Sequence, residues 1–222
     1  MRAYLFDIDG TLISSFPAGV RALDRAVFDL FGIADGVSRI DCSGMTDPAI
    51  VRGVLSPQGL DSAANIAAVL EHYLTCLPEE IARTRYQVLS GVQESLEFIR
   101  GQSCVLCGLA TGNLERGAAI KLARGDLNRF FSFGGFGSDA EARAEIVRMA
   151  IRRARDRAFG EPIEALVIGD TPRDIQAAHA ASAFAVGVAS GRFDQVALQR
   201  CGADLVIPDL CDPESWTGRI FS

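Results

Sequence analysis

Lysine is nearly missing from this sequence. Lys121 is the single one in 222 residues, and the net charge of −6 comes with no basic patch interleaved with aromatics. A nucleic-acid surface needs such a patch to neutralise phosphates, so nucleic acid is not an expected partner. Histidine is almost as scarce. His72 and His179 lie far apart in helical patterns. Neither has a metal partner that the sequence suggests, and surface or packing roles are expected for both. No apolar run reaches the roughly 18 residues that a membrane span needs. No charged-then-apolar leader precedes Asp7, so a soluble, cytoplasmic protein with no membrane partner is the expectation. Nor do the six cysteines suggest a framework. Cys104 and Cys107 form a C-x-x-C, a spacing used for zinc or redox chemistry. They lie in the apolar run Cys104–Ala110, which reads as a buried strand, and three residues apart on a strand point to opposite faces. Free thiols are expected.

What is present suits a sizeable core: 49% of the residues are hydrophobic and 23% charged. Those proportions fit one large domain, or a core with a smaller inserted domain. The run Ala3–Leu12 is of strand type and ends at two carboxylates, Asp7 and Asp9, followed by a Gly-Thr turn. Residues i and i+2 of a strand share a face, so both acids can converge at its carboxyl end. Two acids at one point call for a cation, and a hard divalent ion such as Mg2+ suits them. One carboxylate could then act as a nucleophile while the other moves a proton.

Beyond a hinge-like Ser14–Pro17, the apolar positions Val20, Leu23, Ala26, Val27, Leu30 and Phe31 mark one helix face, with Gly32 as its stop. Helical patterns continue over Pro48–Leu55 and Asp61–Leu77, and no strand run occurs from about 15 to 85. After a turn at Val88–Val92 and a short helix Gln93–Arg100, strands and helices alternate. The strands are Cys104–Ala110, a weak Phe130–Phe136, Ala165–Ile168, Phe184–Val188 and Asp204–Ile207. The helices are Leu114–Arg124, Ala140–Ala158, Pro172–Ala181 and Phe193–Arg200. Such alternation predicts an α/β fold: a parallel sheet with helices on both faces and the ligand at the carboxyl ends of the strands. Two further motifs stand at those ends. In Thr111-Gly112-Asn113, a hydroxyl and a permissive glycine precede Asn113, a suitable helix cap. In Gly169–Asp174, Thr171 can cap a helix beginning at Pro172, and Asp174 leans back toward Asp170.

Asp7-Ile-Asp9-Gly-Thr-Leu, Thr111-Gly-Asn and Gly169-Asp170-Thr-Pro-Arg-Asp174, in that order and spacing, make the chain resemble the haloacid dehalogenase-like hydrolase superfamily, most closely its phosphoglycolate phosphatase-like branch. The resemblance implies a Rossmann-like three-layer core, 1–14 and 86–222, with an all-helical cap domain, 15–85. It implies that Asp7 is the nucleophile of an aspartyl-phosphate and Asp9 the acid/base. Thr111 would bind phosphate with Gly112 and Asn113. Asp7, Asp9 (through its carbonyl), Asp170 and Asp174 would hold Mg2+. The implied activity is hydrolysis of a small phosphorylated metabolite, such as phosphoglycolate or a sugar phosphate. A phosphosugar mutase, or a phosphate-binding protein without turnover, are the alternatives.

The family's third motif usually supplies a lysine. Lys121 lies well along a helix, where a solvated face is expected, so Arg143 is the candidate for that role, ahead of Arg148 and Arg152. An arginine stays charged and grips phosphate bidentately. Asp9 argues against dehalogenation, since dehalogenases lack the second aspartate. The absence of lysine from 15–85 argues against phosphonate cleavage, which needs a cap Schiff base. The polar turn Gly44-Met-Thr46-Asp47 is expected to face the core or, equally, to cap a helix through Asp47. A monomer is expected.

Overall fold

The structure, a computed structural model, describes residues 1–220. Strand β1 (Arg2–Phe6) lies at the centre of a six-stranded sheet. Its alternation settles both faces. Tyr4 and Phe6 join the apolar cluster under helices α4 (Val92–Arg100), α5 (Glu115–Ala123) and α9 (Pro213–Gly218). Ala3 and Leu5 join the cluster under α6 (Arg143–Arg157), α7 (Pro172–Ala180) and α8 (Gln195–Arg200). A strand buried on both sides is the mark of a parallel sheet. The other strands are β4 (Val105–Ala110), β5 (Gly134–Gly135), β6 (Glu164–Gly169), β7 (Phe184–Val188) and β8 (Leu205–Ile207). Their order is β5-β4-β1-β6-β7-β8, with every neighbouring pair parallel.

Between β1 and β4 the chain forms a separate helical layer: α1 (Ala18–Phe31), α2 (Asp47–Leu55) and α3 (Ala63–Arg83). Their apolar stripes pack into a cluster of their own that includes Leu23, Val51, Tyr73 and Leu77. A ribbon joins this cap to the core. β2 (Ile13–Ser14) pairs antiparallel with β3 (Gln87–Val88), Ile13 opposite Val88. The ribbon replaces part of the turn expected at Val88–Val92: the outgoing and returning segments pair with each other.

Two other expectations change. The weak third strand shortens to Gly134–Gly135, because Phe130, at the end of a 3-10 turn over Asn128–Phe130, and Phe133 fill the two opposite core clusters. Helix α9 was not expected from the sequence. Trp216 secures it by packing edge-on against Tyr4 at 6.2 Å and donating to Ser95 Oγ at 3.2 Å.

Candidate active site

Sheet register assembles the site. Phe6 stands opposite Leu109 on one side and Ile168 on the other. One residue beyond Phe6 and two beyond Leu109 and Ile168, Asp7, Thr111 and Asp170 stand at the carboxyl ends of the three central strands. The Asp7 N–H still donates to Ile168 O at 2.9 Å. Asp7, Asp170 and Asp174 are all buried, and each offers an oxygen within 4.8 Å of the others. Asp174 is fixed by a capping box: its Oδ2 accepts from Thr171 N at 3.0 Å and from Thr171 Oγ1 at 2.6 Å. Asp170 is held by Thr11 Oγ1 at 3.3 Å. It is enclosed so closely that a Cβ on Gly10 would come within 2.3 Å of its carboxylate. Gly10 has φ +85°, a conformation that other residues resist.

Arg143, the first residue of α6, reaches this acid cluster as the sequence suggests. Its Nη2 lies 2.8 Å from Asp7 Oδ1 and also bonds Asp174, while Nη1 donates to the cap carbonyl of Gly44 at 3.3 Å. Arg148 and Arg152 do not reach it. Arg148 bonds Glu145 and Ala180 O, and Arg152 is exposed.

One arginine against three carboxylates leaves an excess of negative charge. Burial pushes the Asp7 carboxyl up to about 6, against the pull of Arg143 and with the repulsion of Asp174 and Asp9. Asp170 is pushed to about 8 by burial first, then by Asp174 and Asp7. Three converging hard oxygen donors short of positive charge fit a divalent cation of the Mg2+ type.

Asp9 occupies different ground. Its carboxylate accepts from Lys121 Nζ at 2.6 Å, Asn113 Nδ2 at 2.9 Å and Ser15 Oγ at 3.3 Å. Burial alone would raise its pKa, but Lys121 and the two neutral donors outweigh that and hold it below the usual carboxylate range. Its side chain stays 43% accessible, against 7% for Asp7. Asp9 therefore presents a face to the cleft while its other contacts brace it from behind. Its carboxylate is not one of the three clustered oxygens.

Lys121 corrects the expectation of a solvated helix face. It is buried, at 6% side-chain accessibility. Burial opposes its charge, but Asp9 and Asp47 more than compensate and raise its pKa. Gly19 of α1 lies beside it: a Cβ there would stand 3.4 Å from Nζ.

Asn113 also departs from expectation. It does not cap α5; Leu114 holds the cap position, and the Asn113 amide serves Asp9 and Thr111 Oγ1. Gly112 approaches the cap rather than open space: its carbonyl accepts from Asp47 N at 2.8 Å, and a Cβ would fall 2.4 Å from Met45 O. The turn at residues 44–47 does face the core. Thr46, not Asp47, caps α2, while Asp47 Oδ2 accepts from Leu114 N at 2.9 Å. Burial raises Asp47 to about 6 despite Lys121. The hydroxyl of Tyr73, sequestered in the cap, has no hydrogen-bond partner among the described residues.

A family model described as haloacid dehalogenase-like hydrolase matches residues 1–182. The chain belongs to the haloacid dehalogenase-like hydrolases. Among similar proteins, this hydrolase is 29% identical to a phosphoglycolate phosphatase of Pseudomonas putida over 94% of its own length and 77% of the relative's. A phosphoglycolate phosphatase of Synechococcus elongatus is also 29% identical, over 89% of this chain and 88% of that one. A crystal structure of a hydrolase from Pseudomonas syringae superposes with a TM-score of 0.74 at 24% identity, covering all of both chains, and shares the fold. Among the described residues no helix is long and apolar enough to cross a membrane.

Proposed function

We propose that this hydrolase is a Mg2+-dependent phosphatase that cleaves a small phosphorylated metabolite through a phosphoryl-Asp7 intermediate. The observation carrying this reading is the convergence of Asp7, Asp170, Asp174 and Arg143 at the ends of adjacent parallel strands. Asp7, Asp170 and Asp174, with the Asp9 carbonyl, would hold the ion, which supplies charge neutralisation to the phosphoryl group and nucleophile.

The chain's own residues account for the rest. Asp7 attacks phosphorus, the bond to the ester oxygen breaks, and the departing oxygen takes its proton from Asp9, the acid/base. Water then attacks the phosphorus of phosphoryl-Asp7 and yields its proton to Asp9, freeing phosphate and Asp7. Arg143 aligns Asp7 for attack. With Thr111 Oγ1, Gly112 and Asn113 it would cradle the phosphoryl oxygens. Lys121, expected on a solvated helix face, is a positioning residue for Asp9. The ammonium favours the ionised form of Asp9, the form that takes the proton from water, and the proton so gained is the one Asp9 gives to the next leaving oxygen.

Residues 15–85 form the cap and 1–14 with 86–222 the core in this reading, with the β2–β3 ribbon as the joint. The turn at 44–47 would close over the substrate and exclude water. The relatives' activity suggests phosphoglycolate among the substrates. The protein would act as a cytoplasmic monomer. Phosphate release from a panel of phosphomonoesters, with Mg2+ and with chelator, tests the proposal. Mg2+-dependent release that vanishes in Asp7→Asn supports it, and release unaffected by chelator or by Asp7→Asn refutes it.

A further inference from the structure

The cap carries a second cluster of metal-ligating side chains, outside the site described above. Asp29 projects from α1, and His72 and Cys76 from α3. Four residues apart, His72 and Cys76 share one helix face. His72 Nε2 lies 2.8 Å from Asp29 Oδ2, and Cys76 Sγ lies 4.0 Å from the same nitrogen. All three donor atoms fall within 4.8 Å of one another. The sequence separates Asp29 from His72 by 43 residues, and the packing of α1 on α3 brings the two together.

The hydrogen bonds sharpen the case. The Thr75 hydroxyl has one proton, and it is directed at the His72 carbonyl at 2.7 Å. The same oxygen lies 3.3 Å from His72 Nδ1 and can accept there from the Nδ1–H tautomer. In that tautomer Nε2 turns its lone pair toward the Asp29 carboxylate. Two acceptors 2.8 Å apart need a positive charge between them. A second ring proton meets that need but makes no use of Cys76. A metal ion meets it and draws in the sulfur as well.

We propose that Asp29, His72 and Cys76 form a site for a zinc-class divalent ion that ties α1 to α3 within the cap. One thiolate, one imidazole and one carboxylate are donors that select zinc-like ions over Mg2+. In a tetrahedral site with Zn–N of about 2.0–2.1 Å and Zn–S of about 2.3 Å, nitrogen and sulfur stand about 3.5 Å apart. That is roughly half an ångström closer than the 4.0 Å seen here, within the adjustment of two side chains. The Nδ1–H on Thr75 is the outer contact that fixes a ligating imidazole. Cys76 is buried, His72 half-buried and Asp29 exposed, so the fourth position opens to solvent and takes water. The neighbouring cation Arg25 is committed to Glu79 at 2.6 Å and stays 3.9 Å from Asp29.

Cobalt(II) titrated into the metal-free full-length protein tests this. Thiolate–cobalt coordination gives a near-ultraviolet charge-transfer band, which the all-oxygen donors at the strand ends cannot produce. The expected result is a band saturating at one equivalent, displaced by Zn2+, retained in Asp7→Asn and absent in Cys76→Ser and His72→Gln. Zn2+ should also raise the Tm of the wild type and of neither cap variant. No band in the wild type, or an unchanged band in Cys76→Ser, overturns the site. Should Cys76→Ser fail to fold, His72→Gln decides, because it alters a half-exposed ring outside the packed core. Neither result depends on whether the protein hydrolyses phosphate esters.

Discussion

Removing divalent cations should make stability fall steeply with pH, and Asp170 should be the main cause. Its carboxyl rises from the ordinary 3.8 to about 8, chiefly through burial and then through Asp174 and Asp7. Asp7 rises to about 6. An acid whose pKa is raised by folding holds a proton that the unfolded chain has already released. Below 3.8 both states are protonated and the group has no effect. Between 3.8 and about 8 the unfolded state binds fewer protons, so stability falls as pH rises. The difference, 8 − 3.8 or about 4.2 units, corresponds at about 1.4 kcal/mol per unit to roughly 6 kcal/mol. Water entering the cleft lowers this ceiling, yet even half of it is a large share of the ~5–15 kcal/mol that holds a domain folded. Denaturant unfolding of chelated protein at several values between about pH 5 and pH 8 should therefore show a falling midpoint. Mg2+ should restore it most at the alkaline end. Asp170→Asn, which cannot ionise, should flatten the slope and weaken the Mg2+ effect. A flat profile in the chelated wild type, or an undiminished slope in Asp170→Asn, would refute the reasoning.

Other outcomes follow from the same geometry. Asp7→Asn should lose turnover to background while remaining folded, as circular dichroism would show; full activity would remove the phosphoryl-Asp7 step. Arg143→Ala leaves Asp7 and Asp174 without their shared cation, and should cost about 3–5 kcal/mol of stability besides most of the activity; a wild-type Tm in the metal-free variant counts against that. Lys121→Met should lower kcat by up to about 10²–10⁴-fold, the range of acid–base catalysis, with KM little changed. The pKa of Asp9 should rise, moving the acidic limb of the rate profile to higher pH. An unchanged profile would show that Lys121 only fills space. Gly10→Ala forces a Cβ to within 2.3 Å of Asp170 Oδ2 at φ +85° and should abolish Mg2+ stabilisation before it abolishes folding; calorimetry with and without Mg2+ checks this.

Asp7, Thr111 and Asp170 can be read from the chain because each directly follows a strand, and parallel register brings strand ends together; Arg143 can be read because it opens the helix that follows β5. The helical insert is legible for a similar reason: three amphipathic stripes without a strand run have only one another to pack on. Lys121 shows where such local reading stops. A charged residue in mid-helix suggests solvent, but Leu114, Ala118 and Leu122 recur at fourfold spacing and are all buried. Lys121, seven residues beyond Leu114, lies on that stripe. The pattern was therefore present, and what it lacked was a partner, since the packing of the helical layer on the core places Gly19 and Asp47 beside the lysine. Asn113 follows the same logic. Its helix-capping propensity is real, yet an ionised Asp9 104 residues away in sequence takes its amide at 2.9 Å. Both departures fall at the seam between cap and core. There, a residue's environment is set by another layer of the fold, and propensity or spacing within one segment carries no record of it. Asp9 is thus the point where the two layers meet chemically: its backbone lies just beyond β1, and the lysine that favours its charge sits in the stripe the cap covers. Cap closure and the ionisation of Asp9 should accordingly be coupled, and any substitution that loosens the turn at 44–47 should shift the rate profile in the same direction as Lys121→Met.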